Sequence, residues 1–144
     1  MTAGFSIDES DEFGSRAARH LREDQVVWFT TVGPSGAPSP NPVWFLWDGA
    51  ASVLLWNLPT SARVAHLAAN PRVTLNFGGD AQGEDIVVLS GTAVVDRTRP
   101  GADAVPDYLA KYGDEMVAIS GSREAFAATY NTPVVVTLSG LRGH

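Results

Sequence analysis

The stretch Thr60-Ser61-Ala62-Arg63 concentrates groups suited to holding an anion. Two hydroxyls, the free backbone N–H groups that open a helix and a guanidinium fall within four residues. A helix N-terminus favours negative charge, and an arginine fork matches a pair of phosphate oxygens. Counted from Thr60 as N-cap, Arg63 stands at N3, where a capping box places Glu or Gln. A cation in the first turn opposes the helix dipole, and a bound phosphate would offset that conflict. The competing reading is a surface arginine whose stem lies on apolar surface with its charge in water.

Just upstream, Trp28, Trp44, Trp47 and Trp56 all fall on segments that lead to this helix start. Tryptophan offers a large flat face and an N–H that needs a partner when buried, so these residues could wall a flat aromatic ligand. Core or interface packing is the competing role for each of them. Asn57 adds a polar group between the aromatic wall and the anion end.

Other chemistries find little support. His20, His66 and His144 are too dispersed for a short ligand motif, and there is no cysteine to serve as metal ligand, nucleophile or disulfide partner. No metal site is expected. His66 points away from the stripe Val64, Leu67, Ala68 by the 100° step per residue, which predicts a solvated ring. "GPSG" (33–36) lies between two strand-like runs and not on a strand-to-helix turn, so Ser35 reads as a turn residue. "GGDAQG" (78–83) is neither G-x-G-x-x-G nor followed by a helix, and reads as a hairpin loop. The acid pairs Asp11-Glu12, Glu84-Asp85 and Asp114-Glu115 sit at element ends, as solvated or capping groups do. No residue is nominated as a catalytic acid or base.

The elements that position these groups follow from periodicity. "SDEFGSRAARHLRED" predicts a first helix capped by Ser10 behind a loose arm, residues 1–8. Strands are expected at "VVWFTTV" (26–32), "PVWFLWD" (42–48), "ASVLLWN" (51–57), "RVTLNF" (72–77), "DIVVLSGTAVVD" (85–96) and "PVVVTLS" (133–139), separated by turn formers. The helix of the anion segment runs from 61 to 69 and stops at Asn70-Pro71. "DYLAKYGDEM" and "SREAFAATY" suggest two further short helices. The strand 85–96 is apolar on both faces, with Ile86, Val88 and Val94 on one and Val87, Leu89, Ala93 and Val95 on the other. In an antiparallel sheet this pattern asks for cover on the second face, from a helix or a second subunit. Six short strands interrupted by short helices point to a closed or nearly closed antiparallel barrel, because closure removes exposed edges.

The 144 residues fit one domain, 1–144, and 44% hydrophobic with 18% charged residues is ordinary for a folded protein. The formal net charge of -6 argues against a nucleic-acid partner, whose binding draws on phosphate neutralisation. No apolar run approaches the roughly 18 residues of a membrane span. The opening MTAGFSIDESDEF is acidic where a signal peptide is basic and then apolar, so the cytoplasm is the expected compartment.

The order and spacing of "NPVWFLWDG" (41–49), "LLWNLPTSARVAHLAANPRVTLNF" (54–77) and "GEDIVVLSGTA" (83–93) resemble a known family. The chain is similar to the pyridoxamine 5'-phosphate oxidase-like split β-barrel flavoproteins, in particular the actinobacterial branch that uses the deazaflavin coenzyme F420. The similarity runs from about Val26 to Val95 and more loosely through the last strand. It implies a mainly β fold with short helices, a six-stranded antiparallel split barrel, and a homodimer with two cofactor sites at the subunit interface. Such a dimer would cover the doubly apolar strand. The resemblance also implies that Pro42, Val43 and Trp44 lie beside the cofactor ring, that Trp56 and Asn57 approach the ring or ribityl chain, and that Thr60, Ser61 and Arg63 hold the phosphate. The family often has lysine where this chain has Arg63.

A true pyridoxamine phosphate oxidase carries a basic FMN-binding pattern on the third strand and a substrate-gripping arginine motif near its C-terminus. Here that strand has Leu54 and Leu55, and the chain ends in SGLRGH. The expectation is an F420-dependent oxidoreductase that transfers a hydride between the deazaflavin and a small organic substrate. The alternatives are an FMN-dependent reductase or oxidase of the same fold, or a non-catalytic carrier of such a cofactor or of a haem-like ligand. Arg72, Arg97 and Arg99 are candidates for a groove that takes the oligoglutamate tail of F420.

Overall fold

The computed structural model describes residues 4–144; residues 1–3 of the expected arm lie outside them. Within the remainder of that arm, Phe5 and Ile7 pack against the core. The first helix, α1 (Glu12–Glu23), is capped by Asp11, whose carboxylate accepts the Gly14 N–H at 2.6 Å. The expected cap, Ser10, instead turns its hydroxyl to Asp8. The helix sits at a glycine for a reason: a Cβ on Gly14 would stand 1.8 Å from the Asp8 carbonyl oxygen. Ala17, Ala18 and Leu21 form the buried stripe of α1.

Seven strands follow in one curled antiparallel sheet: β1 (Val27–Val32), β2 (Pro38–Val43), β3 (Leu46–Trp47), β4 (Ser52–Asn57), β5 (Arg72–Asn76), β6 (Val87–Val95) and β7 (Thr132–Gly143). Their order across the sheet is β2-β1-β5-β6-β7-β4-β3. The count exceeds the expected six because the predicted strand 42–48 does not exist as one unit. Its first two residues complete β2, which starts inside the stretch read as a turn, and its last part is the short β3. The prolines of PSPNPV alternate, so their missing N–H groups all fall on the outer side of an edge strand, where no ladder bond is lost. Pro38, Pro40 and Pro42 are accordingly exposed, while β1 supplies the partner on the other side.

Val27, Phe29, Val53, Leu55, Leu75, Leu89, Val134 and Val136 fill the interior of the curl, with α1 packed on the same core. β6 begins at Val87, two residues later than expected, because Asp85 takes a left-handed conformation (φ 57°) and Ile86 pairs its backbone with His144. Its inner face is Val87, Leu89, Gly91 and Ala93. The outer face is less apolar than the sequence suggests: Ser90 and Thr92 separate Val88 from Val94, which is 57% exposed. A bulge at Ser90/Gly91 interrupts the register with β7, where a Cβ on Gly91 would meet the Thr137 carbonyl oxygen at 2.2 Å.

Three α-helices and a 3₁₀ turn at Ala102–Ala104 complete the described residues. The helix α2 (Ala62–Ala69) joins β4 to β5, and α3 (Pro106–Ser120) and α4 (Arg123–Thr129) lie between β6 and β7. Pro106 opens α3, where its missing N–H is no loss, and Gly121 closes it in the left-handed conformation (φ 88°). No described helix is long and apolar enough to cross a membrane.

Candidate functional site

The two edges of the sheet, β2 and β3, are consecutive in sequence and separated by Trp44 and Phe45 alone. The barrel is therefore split where the chain steps from one edge to the other, and the backbone of Phe45 has no strand partner there. A side chain replaces the ladder: the Tyr112 hydroxyl accepts the Phe45 N–H at 3.1 Å and donates to the Gln25 carbonyl at 2.6 Å. Lys111 adds a bond from Nζ to the Phe45 carbonyl at 3.1 Å, with its ammonium 3.7 Å from the centre of the Phe45 ring. Burial lowers the Lys111 pKa to about 8, opposed by nearby Asp24. The helix α3 thus seals the split and fixes the segment that carries Trp44.

Beside this seam lies a cavity of about 180 Å³, walled by Pro42, Val43, Trp44 and Trp56 from the sheet side, by Arg63 from the helix that follows β4, and by Tyr108, Ile119, Phe126 and Tyr130 from α3, α4 and the residue after it. Five of the eight residues expected at a cofactor site from sequence therefore share one cavity. The aromatic walls are ordered by mutual packing. Trp44 stacks on Tyr112 (4.5 Å, 7° between planes) and on Phe126 (5.5 Å, 17°), and Trp56 meets Tyr108 edge-on at 4.5 Å. The Trp56 N–H donates to the Pro100 carbonyl at 3.2 Å, satisfying the donor that burial requires. Burial and the neighbouring Tyr112 push the Tyr108 phenol up, so it stays protonated at any ordinary pH.

Arg63 forms the polar end. Its Nε donates to Asn57 Oδ1 at 2.6 Å, and the Asn57 amide donates in turn to the Thr132 carbonyl at 3.2 Å. Asn57 is 1% exposed, so it acts as a rigid bracket for the guanidinium. Among the described residues no carboxylate pairs with Arg63, and burial lowers its pKa. A half-buried, uncompensated cation at the end of an aromatic cleft is a ready position for an anionic group.

The remaining expectations are placed differently. Asn57 does not line the cavity; its side chain bonds Arg63 and the Thr132 carbonyl. Thr60 is exposed and Ser61 half-buried, and neither lines the cavity. Ser61 is the N-cap of α2 without a side-chain bond, which moves Arg63 from N3 to N2. The expected stripe holds in part: Leu67 is buried and Val64 half-buried, but Ala68 is exposed, and Arg63 and His66 are half-buried beside them. His66 is therefore not a free solvated ring: its Nδ1 lies 2.9 Å from the hydroxyl of the buried Thr31. Of the other tryptophans, Trp47 belongs to the barrel core, with its N–H bonded to the Ala50 carbonyl, and Trp28 is 41% exposed on the outer face. Arg72 borders a separate open concavity of about 650 Å³ on that face, larger than the aromatic cleft, and Arg99 pairs with Asp96.

Sequence reasoning missed the far wall. Tyr108 and Tyr112 lie four residues apart on α3, and Phe126 and Tyr130 four apart at α4. This spacing puts each aromatic pair on one helix face, and that was the available signal. Among the described residues no group of three or more acidic, histidine or cysteine side chains is arranged to hold a metal ion.

The described residues thus form a split antiparallel barrel with an aromatic cleft that ends in an arginine paired with no carboxylate. The sequence match agrees: the model of the pyridoxamine 5'-phosphate oxidase family covers residues 13–138, and the chain belongs to that family. No curated relative matches by sequence. Among solved structures, a Clostridium acetobutylicum protein related to general stress protein 26 of B. subtilis superimposes with TM-score 0.66 at 20% identity, covering 96% of this chain and 92% of that one. An F420 reductase gives TM-score 0.57 at 20% identity (85% and 92% covered), and the heme storage protein HutZ from Vibrio cholerae gives 0.59 at 11% (96% and 95% covered). At these identities the likeness is one of fold.

Proposed function

We propose that this chain is an oxidoreductase that uses coenzyme F420, transferring a hydride between the deazaflavin and a small organic substrate held in the aromatic cleft. The observation that carries this reading is Arg63, half-buried and without a carboxylate, bracketed by Asn57 at one end of the Trp44–Trp56 cleft. The donor set suits a phosphate: Arg63 offers the charge, and the unbonded Ser61 hydroxyl lies two residues away at the helix start. Trp44, Trp56, Tyr108 and Phe126 suit a flat ring and keep water from it. When bound, the reduced deazaflavin supplies the hydride from its C5. The protein's share is orientation, charge neutralisation and shielding. No side chain is assigned a proton transfer.

The solved F420 reductase of the same fold adds weight to this cofactor, and FMN, with a similar ring and a phosphate, is the alternative within the same site. Among the described residues that line the cleft there is no histidine, which favours the deazaflavin or flavin reading over a haem held by a histidine of this cleft. A homodimer is part of the proposal: β6 and its neighbours leave Trp28, Thr92 and Val94 on an open outer face. Fluorescence titration with F420 and with FMN at one ionic strength tests the cofactor assignment. Tighter F420 binding supports it, tighter FMN binding moves the chain to a flavin reductase or oxidase, and no binding of either removes the cofactor reading.

A further inference from the structure

Tyr108 and Tyr112 stand four residues apart on α3, and only one of them has its hydroxyl satisfied within the protein. The Tyr112 hydroxyl accepts the Phe45 N–H and donates to the Gln25 carbonyl. The Tyr108 hydroxyl bonds no described residue, although Tyr108 is almost as deeply buried, 1% exposed against 0%. Burying a hydroxyl without a partner is costly, and phenylalanine would fill the same space without that cost. Among the described residues no fully enclosed side-chain oxygen or nitrogen lacks a partner. The unbonded Tyr108 hydroxyl is therefore not sealed in the core. The trace of Tyr108 that stays accessible includes its oxygen, and Tyr108 lines the aromatic cleft of Trp44, Trp56 and Arg63.

The ring that carries this hydroxyl is clamped. Trp56 meets it edge-on at 4.5 Å, Tyr112 lies 4.8 Å away at 47°, and Ala102 and Met116 belong to the same packed cluster. A donor held this firmly loses little freedom when a ligand engages it. Burial and Tyr112 raise its pKa, so the phenol stays neutral and able to donate, whereas an anionic group is drawn to Arg63.

Resting on the cofactor reading above, we infer that the Tyr108 hydroxyl is a ligand-binding donor that hydrogen-bonds a carbonyl oxygen on the edge of the flat ring the cleft takes. Deazaflavin and flavin rings both carry such oxygens, so the bond serves either cofactor and fixes which edge of the ring turns toward α3. A few placed polar groups in an apolar site set orientation in this way. Arg63 recognises charge, and Tyr108 recognises the ring edge.

Tyr108→Phe removes one oxygen and nothing else. Without ligand, its urea midpoint should equal or exceed that of the wild type, because the hydroxyl bonds nothing in the protein. A lowered midpoint, as expected for Tyr112→Phe, overturns the inference. In fluorescence titration F420, FMN and the deazaflavin lacking its phosphate should each bind the variant about 2- to 10-fold more weakly, the range for one neutral hydrogen bond. Unchanged affinities overturn the inference. If the wild type binds neither F420 nor FMN, the cofactor reading fails and a second pair of probes decides the donor. Fluorenone and fluorene share a flat tricyclic frame and differ by one carbonyl. Quenching of tryptophan fluorescence should show the wild type preferring fluorenone, with the preference reduced about 2- to 10-fold in Tyr108→Phe. An equal preference in the two proteins, or no binding of fluorenone, then overturns the donor.

Discussion

Replacing Asn57 by aspartate separates charge from shape at the proposed anion site. Asn57 is 1% exposed and its Oδ1 accepts from Arg63 Nε at 2.6 Å. Asn57→Asp keeps this bond and nearly the same volume, but places a negative charge against the guanidinium. Opposite charges about 4 Å apart at an effective dielectric constant near 20 attract by roughly 4 kcal/mol, enough to satisfy most of the field of Arg63. An incoming phosphate then competes with a permanent carboxylate and loses about 1.5–3 kcal/mol, the range for a hydrogen bond to a charged group. That is roughly a 10- to 100-fold weakening. The second carboxylate oxygen faces the Thr132 carbonyl, where the wild-type amide donates at 3.2 Å, so a stability loss of about 1–3 kcal/mol is also expected. The assay is fluorescence titration with F420 and with the same deazaflavin lacking its phosphate, on protein shown by circular dichroism to be folded. The wild type should prefer the phosphorylated ligand, and Asn57→Asp should erase that preference while leaving the phosphate-free affinity nearly unchanged. A preserved preference would refute the assignment of Arg63 and Asn57 to the phosphate.

Tyr112→Phe removes the partner of the Phe45 N–H at the barrel split and should lower unfolding free energy by about 1–3 kcal/mol in urea titration, the cost of a buried unpaired group. Lys111 gives a pH signature. Its folded pKa of about 8 lies below the ordinary 10.5, so between these values the unfolded chain binds the extra proton and stability rises with pH. The raised Tyr108 and Tyr112 pKa values act oppositely above about pH 10, so the rise is confined to pH 8–10. Urea midpoints should climb across that window in the wild type and stay flat in Lys111→Met. Thr92→Lys with Val94→Lys places two charges on the outer face of β6, and sedimentation velocity should show the proposed dimer dissociating.

β5 was legible in the sequence through its period of two, with Val73 and Leu75 facing the core, whereas β4 and β7 were legible as runs of β-branched and apolar residues that are buried on both faces for part of their length. β2 was not, since three prolines in six residues mimic a turn, and only its place at an open edge makes them harmless. The same stretch hid the split itself, because continuity of apolar residues across 42–48 carries no mark of the step between sheet edges. Arg63 stood out as a cation in the first turn of a helix, which holds at N2 as at N3, and that placement coincides with its bond to Asn57. The inward face of α2 was half legible: Val64 and Leu67 follow the hydrophobic pattern, but the polar partners Thr31 and Asn57, which draw His66 and Arg63 inward as well, leave no local mark. The aromatic wall of α3 and α4 showed as two i, i+4 pairs, but nothing local places those helices against Trp44.

Titration of the wild type and Arg63→Ala with F420, at matched ionic strength, tests the central claim most directly. The account predicts saturable binding to the wild type and a 10- to 100-fold loss in the variant, from the charged hydrogen bonds removed. Equal affinity in the two proteins, or no binding to the wild type, would contradict it.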